Sequence, residues 1–167
     1  MKRLLAPLAL LVFFLACQEN EVASEFTGNE ITYDLAQGSG YNVNGVITFR
    51  EKTDGSTVAT VQLTGTEGVI EHPVHLHLGN ISTPDADVAV LLNPVLGSNG
   101  RSETTITQLI DETPLTYQQI LALDACIKIH LSASGTNKNI ILAAGNIGTA
   151  KTDEVSGGRT PGVAVCK

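Results

Sequence analysis

From Ile31 to about Gly145 the chain alternates apolar and polar residues with a period of two, in short runs broken by Gly, Pro, Asn and Asp. That period belongs to strands, whose successive side chains point to opposite faces. The clearest pair is residues 45–51 and 57–64, separated by Lys52-Thr53-Asp54-Gly55-Ser56. Asp-Gly between two alternating runs marks a hairpin, because glycine accepts the positive φ such a turn needs. Ile47 and Phe49 fall on one face of the first run, and Ala59, Val61 and Leu63 on one face of the second. These faces are expected to meet in a core. Shorter runs follow at 72–78, 87–92, 102–109, 125–131 and 139–145. On the first of these, alternation assigns Val74, Leu76 and Leu78 to the core side. One short helix interrupts: Thr116 can cap it, Gln119 sits three residues on as in a capping box, and Ile120, Leu121 and Leu123 supply an apolar side. No β-α repeat is present. The pattern predicts an all-β chain, an antiparallel Greek-key-like sandwich or barrel with one short helix.

The N-terminus has a different character. Met1-Lys2-Arg3 is basic, residues 4–16 carry no charge, and Cys17 follows Leu15-Ala16 directly. A charged start, a short apolar run and a small residue before the cut describe a secretory signal. Thirteen residues fall short of the roughly 20 needed to span a bilayer. The Leu15-Ala16-Cys17 junction resembles the lipobox of bacterial lipoproteins, with Phe14 where Leu is usual. That resemblance implies that Cys17 becomes lipidated and is the mature N-terminus. The chain would then sit in the cell envelope, anchored by lipid at the outer membrane, in the periplasm or on the surface. Residues 18–29 are polar and acidic, a tether by composition. Acidic residues just after such a Cys also resemble the export signals of some surface lipoproteins. The expected organisation is a signal at 1–16, lipidated Cys17 and tether at 17–29, a β domain at 30–148, and a Gly-rich loop with an edge strand at 149–167. Loss of Lys2 and Arg3 with the signal takes the formal charge from −7 to −9. An acidic chain with no basic cluster does not suit nucleic acid, whose phosphates need Lys and Arg.

The histidines are the only chemically rich feature. In His72-Pro73-Val74-His75-Leu76-His77, alternation puts Val74 and Leu76 toward the core and His75 and His77 away from it. Two residues apart on one strand face is about 6.7 Å, which lets two imidazoles converge on one ion. In Cys126-Ile127-Lys128-Ile129-His130-Leu131, the same reading puts Ile127, Ile129 and Leu131 toward the core and His130 off it. If the strands are neighbours, His75, His77 and His130 make a three-imidazole site suited to copper or zinc. With Cys17 used by lipid, Cys126 and Cys166 are the two cysteines left in a compartment that permits disulfides, and a bridge between them would tie the tail to a strand.

Several stretches together resemble the CHRD domain, a repeat of secreted proteins. They are Pro73-Val74-His75-Leu76-His77-Leu78-Gly79, then residues 88–92, Leu115-Thr116, Ile127-Lys128-Ile129-His130 and residues 140–148. The likeness covers roughly residues 31–148. The family's closing strand usually carries an acidic residue and an Arg-Gly pair, whereas residues 139–145 here have none. CHRD domains have no established catalysis as a class, so the resemblance implies a binding or structural role with a protein or polysaccharide partner, and it assigns no catalytic residue. The His strands are also similar to those of copper/zinc superoxide dismutases, with His72, His75, His77 and His130 at corresponding places and Ala143–Gly148 like the closing strand. The further zinc ligands of that family have no counterpart, since no histidine lies between His77 and His130. This resemblance therefore implies, as the alternative, a copper/zinc-binding protein or a degenerate dismutase-like enzyme using His75, His77 and His130.

Overall fold

The computed structural model describes residues 23–151 and residues 163 and 164. Eight strands run in chain order as β1 (Phe26–Gln37), β2 (Asn44–Lys52), β3 (Thr57–Thr64), β4 (Glu71–Leu78), β5 (Val88–Leu96), β6 (Arg101–Ile106), β7 (Asp124–His130) and β8 (Ile141–Ile147), with helix α1 (Tyr117–Ala122) between β6 and β7. They close into an antiparallel barrel of order β1-β2-β3-β6-β5-β4-β7-β8. The connections from β3 to β4 and from β6 to β7 each skip two strands, which is what makes the topology a Greek key.

The hairpin forms where the Asp-Gly pair lies. Gly55 has φ +87°, its N–H donates to the Lys52 carbonyl at 3.0 Å, and Asp54 Oδ1 accepts from the Ser56 N–H at 2.9 Å. The turn sets the register, so that Ile47 pairs with Val61 and Phe49 with Ala59. The helix is capped as its sequence predicts: Thr116 accepts from the Gln119 N–H, and the Gln119 side chain accepts from the Thr116 N–H at 2.8 Å. Tyr117 and Ile120 are its buried residues and join the main core.

The interior is filled with side chains. Ile47, Phe49, Val61, Leu76, Val95, Ile127, Ile129 and Leu142 are among the residues that form it. Two seams are lightly laced. β5 and β6 pair at Leu96–Arg101, beyond which the Asn93 N–H donates to Thr104 Oγ1 at 2.8 Å and Asn93 Nδ2 to the Glu103 carbonyl at 2.6 Å. β1 and β8 pair at Ala36–Ala144 and Gln37–Ala143. Gly145 permits this second closure, because a Cβ there would run into the Asp34 carbonyl. The barrel is therefore close to a sandwich of two sheets, β1-β2-β3-β6 and β5-β4-β7-β8.

Two details depart from the sequence pattern. β1 begins at Phe26, inside the segment that composition assigns to the tether, and a register shift between Phe26 and Glu30 includes Gly28 at φ +94°. Leu78 is 41% exposed rather than in the core, because it is the last residue of β4, at the end of the strand, although its pairing with Ala125 of β7 keeps the alternation. Cys17, the signal, residues 18–22 of the tether and Cys166 lie outside the described residues.

Candidate metal centre

β4 and β7 are direct neighbours, with Val74 opposite Ile129, His75 opposite Lys128 and His77 opposite Cys126. That adjacency brings the three histidines together on the outer wall of the barrel. The ring centroids are 4.8 Å apart for His75–His130, 5.7 Å for His75–His77 and 6.2 Å for His77–His130. One nitrogen from each ring lies within 4.8 Å of the others, and no carboxylate or thiolate joins them among the described residues. Three nitrogens bound to one zinc or copper at about 2.0–2.1 Å sit ~3.3–3.5 Å apart when the geometry is tetrahedral or trigonal. The triad needs a contraction of little more than an ångström. His75 is half-buried and makes no hydrogen bond among the described residues, so it is the ring that can turn inward.

The other two rings are fixed. His77 Nδ1–H donates to the Ala86 carbonyl at 2.8 Å, and His130 Nδ1–H donates to the Lys138 carbonyl at 2.8 Å. A carbonyl can only accept, so both rings carry their proton on Nδ1 and keep a lone pair on Nε2. This is the outer support that metal-binding histidines use to set tautomer and orientation. The Nε2 of His130 is buried and has no hydrogen-bond partner, although burying an unpaired polar atom costs about 1–3 kcal/mol. His72 is set apart: it is buried, and its Nδ1–H donates to the Leu131 carbonyl at 3.2 Å.

Burial governs the charge state. It pushes the His75 pKa down to about 4, with His130 and then His77 adding repulsion. Burial also lowers His77 and His130, in each case outweighing the carbonyl bond that favours the charged form, and Lys128 pushes both the same way. All three are neutral at pH 7, the form that binds metal. This makes stability depend on pH with a definite sign. Unfolded histidine takes up its proton near pH 6.5, and the folded triad resists it down to about 4 at His75. The unfolded chain therefore binds more protons in that window, so stability is full above pH 6.5 and is lost as pH falls toward 4. In the metal-free protein the urea midpoint should decline steadily from pH 7 to 5, and less steeply in His75→Gln. A flat profile in the wild type contradicts the buried neutral triad.

The triad opens into a cavity of about 420 Å³, walled also by Pro73, residues 85–88 and residues 132, 133, 138 and 139. Sequence reasoning placed the histidines but missed what covers them. His77 is 1% and His130 5% exposed, because the segments after β4 and β7 fold over the wall. Lys128 gave no warning either. It is fully buried on the same face, where its Nζ donates to the Ala164 carbonyl at 3.0 Å. Cys126 packs with Ile81, Ile141 and Ala144 beneath Val163. The expected bridge from Cys126 to Cys166 falls on a residue outside those described.

A scan of family models and searches of characterised proteins and solved structures found no match to this chain.

Proposed function

We propose that this chain is a metal-binding barrel in which His75, His77 and His130 hold one copper or zinc ion, carried at the cell envelope on lipid attached to Cys17. The buried, unpartnered Nε2 of His130, facing two further imidazoles, carries the metal reading. Three neutral nitrogens with an open cavity above leave at least one coordination position for exchange or an outer ligand, unlike a closed four-ligand structural site. Imidazole alone does not choose strongly between copper and zinc. The similarity of the His strands to copper/zinc superoxide dismutases supports the same three residues. The absence of histidine between His77 and His130 favours a single-ion site with no bridging ligand, and binding or carriage rather than dismutation. The CHRD likeness supports a binding role, and the Leu15-Ala16-Cys17 junction supports the envelope setting.

The protein purified under mild conditions, or reconstituted with micromolar copper(II) or zinc, should hold one ion per chain by elemental mass spectrometry. No retained ion in either preparation rejects the metal reading. The anchor has a separate test. Cys17→Ser should move the protein from the membrane to the soluble fraction, and continued partition with membranes rejects lipidation at Cys17.

A further inference from the structure

Val163 and Ala164 lie against the outside of the barrel. Their landing place is specific. The Ala164 N–H donates to the Ile81 carbonyl at 2.8 Å, and the Ala164 carbonyl accepts from the buried Lys128 Nζ at 3.0 Å. Val163 packs on Ile81, Cys126, Ile141 and Ala144. Ile81 is held from its other side too, since its N–H donates to the buried Asn146 Oδ1 at 2.7 Å. Ile81 thus joins three parts of the molecule: the C-terminal segment, β8, and the connection from β4 to β5. That connection also carries Ala86, whose carbonyl sets the tautomer of His77.

We propose that Val163 and Ala164, gripped by Lys128, form a latch that positions His77 by holding the 79–87 connection against the barrel wall. Ala164 and Lys128 act here as positioning residues, remote from the ion itself. Lys128 is suited to the task because β7 places it opposite His75 and between Cys126 and His130, on the face that the latch covers. An ammonium buried there needs acceptors, and the Ala164 carbonyl is one. With the latch released, Ile81 keeps its bond to Asn146 but loses its cover and its carbonyl partner. The span out to Ala86 then keeps its far anchor, the Leu78 N–H bond to the Asp87 carbonyl at 3.0 Å, but loses its hold at Ile81. The Ala86 carbonyl that keeps the His77 proton on Nδ1 is no longer fixed from both ends. His130 is an internal control, because its acceptor Lys138 belongs to the connection between β7 and β8. The latch deepens the metal reading as far as affinity is concerned, yet its effect on His77 exists without any ion.

The test uses Ala164→Pro, which removes the N–H donor, and Lys128→Met, which removes the ammonium at similar length. Imidazole ¹⁵N correlation spectra of the metal-free protein read the tautomers, and zinc titration reads the affinity. The latch predicts that in both variants His77 shifts toward the Nε2–H tautomer while His130 stays Nδ1–H. Zinc affinity should fall about 10- to 100-fold, the usual effect of losing outer support for a ligand. An unchanged His77 tautomer in Ala164→Pro overturns the latch, and so does equal disturbance of His77 and His130, which signals general loosening. A wild type that binds no zinc overturns the metal reading, and the tautomer result still decides the latch.

Discussion

Replacing His130 by alanine should lower affinity for copper(II) or zinc by more than about 100-fold, beyond what loss of an outer support costs. The expectation follows from how the three rings differ. His130 is pinned by the Lys138 carbonyl, buried, and left with an unpartnered Nε2. It stands 4.8 Å from His75 and 6.2 Å from His77, ring to ring, and is the only member contributed by β7. Without it, His75 and His77 remain as a two-nitrogen site on one strand. His75→Ala should also be severe, because His75 has to turn inward to complete the shell. The fold should survive both changes, since neither ring belongs to the barrel core. Isothermal titration of each metal-free variant checks this, with circular dichroism to confirm folding. Wild-type affinity in a folded His130→Ala protein means that any bound ion sits elsewhere.

Phe49→Ala should cost about 3–5 kcal/mol of stability, the range for emptying a buried aromatic site. Phe49 is fully buried, and its ring meets that of Tyr33 edge to face at 6.2 Å and 72°. Its neighbours in register are Ile31 on β1 and Ala59 on β3. A small residue beside a large one fills the layer, so deletion leaves a hole that Ala59 cannot fill. A rigid barrel wall limits collapse, which favours the upper part of the range. Equilibrium urea unfolding measures the loss. A change well below 1 kcal/mol contradicts the packing of this face.

How much was legible in the chain depends on the range of the interaction. The Asp54-Gly55 turn and the Thr116–Gln119 box are local, and they form where their residues stand. Alternation assigned Ile47, Phe49, Val74, Leu76, Ile127 and Ile129 to the core, because a face of a strand is set by two-residue steps. It failed at Leu78, which keeps its face but ends β4 and so lies at the exposed end of the strand. The same logic put His75, His77 and His130 on one side of their strands. It could not place β4 beside β7, because that neighbourhood depends on two crossovers. Burial of the triad was also hidden. The groups that orient it are the backbone carbonyls of Ala86 and Lys138, which leave no mark on side-chain pattern. Lys128 reads as a solvated strand residue until Ala164 is seen above it.

Zinc titration of the metal-free protein, followed by imidazole ¹⁵N resonances, tests whether three imidazoles share one ion. The Nε2 signals of His77 and His130 and one nitrogen of His75 should shift together, saturating at one zinc per chain, while His72 stays unmoved. Because burial holds the three rings neutral below the ordinary histidine range, binding should weaken only as pH falls toward about 4, where His75 takes up its proton. Shifts confined to one or two of the three rings, or a response at His72 equal to theirs, contradict the shared site.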